Sequence, residues 1–84
     1  MTKQNNIEEI IEELSLLLMY LTRFREKDDE LWQAWKGYDF KIMDTLQEKE
    51  YISFSYRAKR VYLHEKGMQK IKTLLKKYKI EEET

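Results

Sequence analysis

The chain has 84 residues, balances 16 Lys and Arg against 16 Asp and Glu, and contains no cysteine and no proline. Those numbers exclude a second domain, a disulfide framework and a thiolate metal site, and they limit the core to one that a subunit partner would help. Charge is unevenly placed: residues 1–50 hold 7 Lys/Arg and 12 Asp/Glu, a balance of −5, while residues 51–84 hold 9 and 4, a balance of +5.

The opening MTKQNNIEEI lacks the basic-then-apolar order of a signal peptide. The longest apolar run, Leu16 to Leu21, is too short to cross a bilayer. A cytoplasmic protein with no membrane partner is expected, as one domain over residues 1–84 with fraying at 1–6 and 81–84. From Ile7 a helical period begins, and Ile7, Ile10, Ile11, Leu14, Leu17, Leu18, Leu21 and Phe24 fall on one stripe. Asn6 caps this first helix, which is predicted to run to about residue 26. Leu16, Met19 and Tyr20 lie opposite the stripe. Either the chain itself or a second subunit covers them, and a homodimer interface at Leu16, Met19 and Tyr20 is the preferred expectation.

Residues 28–36, DDELWQAWK, read as a short helix with Trp32 and Trp35 on one face, anchoring it to the core. Gly37 ends that helix and Asp39 caps a third one, over residues 39–49, with Phe40, Ile42, Met43 and Leu46 inward. The period then changes. Residues 51–56 and 61–64 alternate as strands, joined by a loop at Arg57–Arg60 that carries Arg57, Lys59 and Arg60. A last helix starts near Glu65 and buries Met68, Ile71, Leu74, Leu75 and Tyr78. The expected fold is mainly α with one β-hairpin (α+β), in the order α-α-α-β-β-α, which is a winged helix-turn-helix arrangement.

The chain resembles a family of short, uncharacterised bacterial proteins known only as a domain of unknown function. The residues that carry the resemblance are YLT at 20–22, WKGYDF at 35–40, Leu46, Lys49 and Ile52, and VYLHEKG at 61–67. Together they cover most of residues 17–78. The last element is also similar to the end of many winged-helix regulators, where a strand closes with leucine, threonine and two acids before a glycine. Here His64 stands in place of the threonine and Lys66 in place of an acid. The resemblance implies a winged-helix-like fold and supplies no activity.

Catalysis finds little support in these residues. The lone His64 falls at a strand–helix junction, a place for capping or surface contact rather than general base work. No phosphate-cradling glycine loop and no calcium-loop spacing is present. No enzyme activity, cofactor, metal or small-molecule ligand is expected. Two readings stay open. In the first, the protein is a transcription regulator that binds double-stranded DNA through helix 39–49 and the basic hairpin tip, with Lys36, Lys41, Thr45, Arg57, Lys59 and Arg60 as contact residues. The outer stripe of that helix, Lys41, Asp44, Thr45 and Glu48, sums to −1 and opposes phosphate binding. In the second, the domain is a protein-interaction or dimeric adaptor module that does not bind DNA.

Overall fold

The helix α1 (Ile7–Leu21) starts where Asn6 accepts a hydrogen bond from the Glu9 backbone N–H at 3.2 Å, with Glu8 and Glu9 in the positive first turn. It stops short of the expected residue 26. The Thr22 hydroxyl donates to the Leu18 carbonyl at 2.7 Å, and Phe24 then exchanges both backbone hydrogen bonds with Gln33, each at 2.8 Å. Sheet pairing at Phe24 therefore ends the helix. The computed structural model describes residues 6–82. The frayed ends expected at 1–6 and 81–84 lie partly outside that range.

Residues 28–36 do not form a helix. They make a turn and then the strand β1 (Gln33–Trp35). A helix this short is marginal alone, and pairing with a neighbouring strand gives the same backbone groups a ladder. The other elements are α2 (Phe40–Glu48), β2 (Ile52–Phe54), β3 (Arg60–Leu63) and α3 (Glu65–Lys77). The observed order is thus α-β-α-β-β-α, an α+β fold with a three-stranded antiparallel sheet ordered β1-β3-β2. Among the described residues no helix pairs with α2 across Gly37, so the expected helix-turn-helix is missing its first member. The predicted hairpin is present, and β1 adds to it: Ala34 sits opposite Val61, and Trp35 opposite Arg60. Both edges of the sheet are 3 residues long.

Register fixes two faces. Ala34, Val61, Ile52 and Leu63 point inward and are buried. Gln33, Tyr62 and Ser53 form a row on the outer face, next to Trp35 and Arg60. The helices cover the inner face, with α1 packed against α2, α3 and β1. Asp39 caps α2 by accepting from the Lys41 N–H at 3.0 Å. The chain leaves α2 through Glu50, at φ 67, as the Tyr51 N–H returns to the Leu46 carbonyl at 3.0 Å.

The largest departure from expectation concerns α1. Leu16, Met19 and Tyr20, expected at a subunit interface, are 1%, 0% and 8% exposed and belong to the chain's own core. They share that core with Leu17, Met43, Leu46, Ile71 and Leu74. Of the stripe read as the core face, only Leu17 reaches the core; Ile10 and Phe24 are half-buried, and Ile7, Ile11, Leu14, Leu18 and Leu21 face outward at 65%, 43%, 46%, 49% and 48% exposed. Both sides of the helix are apolar, so periodicity alone did not say which one meets the sheet. Trp35, expected in the core, is 59% exposed, because β1 turns it to the outer face opposite Arg60. Phe40, also expected inward, lies exposed at the first turn of α2.

The two glycines behave differently. A Cβ on Gly67 would lie 2.3 Å from the Tyr51 carbonyl oxygen, so the first turn of α3 rests directly on the backbone before β2. Gly37 has ordinary φ and open space around it, and no left-handed turn is needed there. Gly67→Ala is expected to cost about 1–3 kcal/mol in a denaturant melt, whereas Gly37→Ala should stay within about 0.5 kcal/mol of wild type. Equal effects at the two positions would contradict the close approach at Tyr51.

Candidate functional site

Three features compete as the functional surface: the hairpin tip, the WKGYDF segment and the outer side of α1. At the tip, the Ala58 N–H donates to the Ser55 carbonyl and hydroxyl, each at 3.2 Å, and this turn presents Arg57 and Lys59 to solvent. Neither is in an ion pair among the described residues. The other predicted nucleic-acid contacts are engaged elsewhere. Arg60 donates to Gln33 Oε1 at 3.0 Å and to Glu26 at 3.2 Å. Lys41 lies 3.8 Å from Glu8, and the Thr45 hydroxyl donates to the Lys41 carbonyl at 3.0 Å. Lys41 and Thr45 thus line a groove of about 300 Å³ between α1 and α2, together with Glu8, Glu12 and Asp39. That groove is acidic, and a phosphate backbone would be repelled from it.

WKGYDF works as a local clasp. Trp35 stacks on Phe24 with ring centroids 4.7 Å apart, and the Arg60 guanidinium lies 5.8 Å from the Trp35 ring. Lys36 sends its ammonium into a cage of rings, 5.4 Å from Phe40, 5.1 Å from Phe54 and 5.6 Å from Tyr56, and donates to the Ser55 carbonyl at 2.7 Å. Cation–π attraction of this kind pins the hairpin to the start of α2. Tyr38 packs against the core, and burial raises its hydroxyl pKa despite a hydrogen bond with Thr22. Trp32 is also packed against the core, flanked by Arg23 at 4.7 Å and Arg25 at 4.4 Å from its ring. Lys36 therefore holds the fold together rather than standing free for a ligand.

The flanks of α1 carry acids that tie down its neighbours. Glu12 accepts from Lys49 at 2.9 Å, joining α1 to the end of α2. Glu13 is buried and accepts from Lys77 at 2.8 Å and from the Tyr78 hydroxyl at 2.7 Å, with Lys70 at 3.9 Å, joining α1 to α3. Burial pushes the Glu13 carboxyl up. The hydrogen bonds from Lys77 and Tyr78 and the charges of Lys77 and Lys70 outweigh it and leave the pKa lowered. Between these flanks, facing away from the core, run Ile7, Ile11, Leu14, Leu18 and Leu21, spaced alternately four and three residues apart. Sequence periodicity found these residues but placed them in the core. Their spacing, alternately four and three, suits a seam between two helices.

For catalysis the geometry offers one pair. His64 Nε2 and Ser53 Oγ lie 2.7 Å apart on the outer face of the sheet. None of the hydrogen bonds among the described residues orients the other ring nitrogen of His64, as a Ser–His nucleophile would need. No group of three or more His, Cys, Asp or Glu among the described residues could hold a metal ion, and no described helix is long and apolar enough to cross a membrane.

Residues 7–81 match the model of the family described as Domain of unknown function (DUF6429), and the chain belongs to that family. No curated protein and no solved structure matches the chain.

The Glu13 clasp predicts an acid limb. Its folded pKa lies below the unfolded value, so its stabilisation is complete above the ordinary glutamate range and is lost as pH falls through the lowered folded value. The melting temperature should therefore drop on acidification below about pH 4.3. Glu13→Gln should melt lower at neutral pH and show a shallower acid limb in thermal scans. A limb of unchanged steepness would remove Glu13 as its cause.

Proposed function

We propose that this member of the DUF6429 family is a non-enzymatic protein-interaction module that docks through the outer side of α1. The observation that carries the reading is the run of Ile7, Ile11, Leu14, Leu18 and Leu21, each at least 43% exposed along one side of α1. Single exposed leucines are ordinary, but a contiguous aliphatic strip is a mark of an interaction surface. Such a strip fits the apolar side of another helix, which docks at i, i+3, i+4 and i+7 spacing. The strand order and basic-tipped hairpin support a winged-helix-like description of the scaffold, reused here for protein contact.

A second reading, binding of double-stranded DNA, draws support from the exposed Arg57 and Lys59 at the hairpin tip, which make no ion pair among the described residues. It is the weaker of the two. Among the described residues the strand β1, not a helix, leads into α2 across Gly37, and Lys41 and Thr45 line an acidic groove. If the tip does grip a duplex, Arg57→Ala with Lys59→Ala should reduce the salt slope of binding by roughly two units. Unchanged affinity in that double variant would dismiss the tip.

The test of the docking reading is a photo-crosslinking residue at Leu14, compared with one at Lys72 on the exposed side of α3, in cells expressing the full chain. Adducts to a polypeptide are expected from position 14 and not from 72, and Leu18→Glu should suppress them. Silence at position 14, or equal yields from both positions, would overturn the reading.

A further inference from the structure

We infer that the polypeptide on this face is a second copy of the same chain, paired antiparallel along α1. The inference rests on the docking reading above and names its occupant.

The strip is suited to itself. It contains only isoleucine and leucine, runs the length of α1 and is centred on Leu14. At 100° per residue these side chains fall within about 80° of arc, the narrow seam of a helix pair rather than the broader face of a helix lying over a sheet. A two-fold axis at the middle of such a strip places the Ile7 end of one copy beside the Leu21 end of the other. The surface is then isologous and the assembly closes at two.

Charge selects the direction. Glu8 and Glu9 stand at the amino end of α1, while Arg23, Arg25 and Lys27 follow its carboxyl end. An antiparallel pair keeps the amino-terminal acids of the two copies a helix length apart and opposes the helix dipoles favourably. A parallel pair brings Glu8 and Glu9 of both copies together. One flank of the strip carries Glu8, Ser15 and Thr22. In the antiparallel pair Glu8 comes beside Thr22 of the other copy and Ser15 beside its twin, so no like charges meet and the small Ser15 lets the helices approach.

The size is sufficient. The five side chains expose roughly 500 Å² between them, the range of functional patches on small proteins. Two such strips bury at most about 1,000 Å², the lower bound of a specific interface. Ile42, which lines the groove between α1 and α2 together with Ile11, extends the apolar area on one side. A lipid surface is a poorer occupant, because helices lying on membranes carry Lys and Arg on their polar side, whereas α1 has Glu8, Glu9, Glu12 and Glu13 and no basic residue.

The full chain has no cysteine, which makes the arrangement easy to test. Light scattering over about 1–100 μM should give twice the chain mass for wild type, an interface of this modest size being expected to associate in that range. Leu14→Glu should remain folded by circular dichroism and weaken the dimer at least tenfold; Leu14→Ser gives a second reading at the same site should the glutamate perturb α1. Under mild oxidation Ser15→Cys should form a covalent dimer quickly and Thr22→Cys slowly. A wild type that is monomeric throughout overturns self-pairing, while adducts to other proteins at position 14 would still uphold the docking reading. A dimer indifferent to both Leu14 variants overturns the use of this face altogether. Faster crosslinking at position 22 than at 15 overturns the antiparallel direction.

Discussion

The structure hangs on α1, which packs at once against β1, α2 and α3. Leu16, Leu17, Met19 and Tyr20 fill the centre of the core, and Glu12 and Glu13 reach sideways to Lys49 and Lys77. Fully burying a leucine-sized side chain contributes about 1.5–3 kcal/mol, so this one helix supplies a large share of what holds so small a chain together. The acids on its flanks do something apolar packing does not: they fix where α2 and α3 lie along it. Once those three directions are occupied, the fourth has no element left to cover it. The exposed aliphatic strip follows from the shortness of the chain combined with a helix that is apolar on two sides.

WKGYDF has a related economy. Its side chains leave in different directions, and most of them find an intramolecular partner. Lys36 reaches across to the hairpin, Tyr38 goes to the core and Asp39 starts α2. Trp35 and Phe40 stay exposed and stack on Phe24 and Tyr56. The segment therefore couples the sheet edge, the hairpin and α2 without a turn that demands glycine. Nothing in the structure accounts for glycine at position 37.

Much of the fold was legible in the sequence, for physical reasons that apply element by element. Asn6 and Asp39 mark helix starts because their side chains accept from backbone N–H groups two or three residues on. The alternation in Ile52, Phe54, Val61 and Leu63 marks the hairpin strands. Residues 28–36 misled, because acids followed by tryptophans three apart imitate a capped helix, while the deciding interaction is a non-local ladder to β3 and to Phe24. Local pattern carries no information about that partner. Most of the two faces of α1, though not Leu17, were exchanged for a similar reason: both are apolar, and only the positions of α2, α3 and the sheet decide between them. The candidate surface was thus visible as residues and invisible as a surface.

The short edges of the sheet have a consequence for how this protein fails. Strands of 3 residues offer an intruding chain few backbone hydrogen bonds, and the β-type stacking that leads to fibrils gains little from them. Growth of the folded chain by edge-to-edge strand addition is accordingly disfavoured.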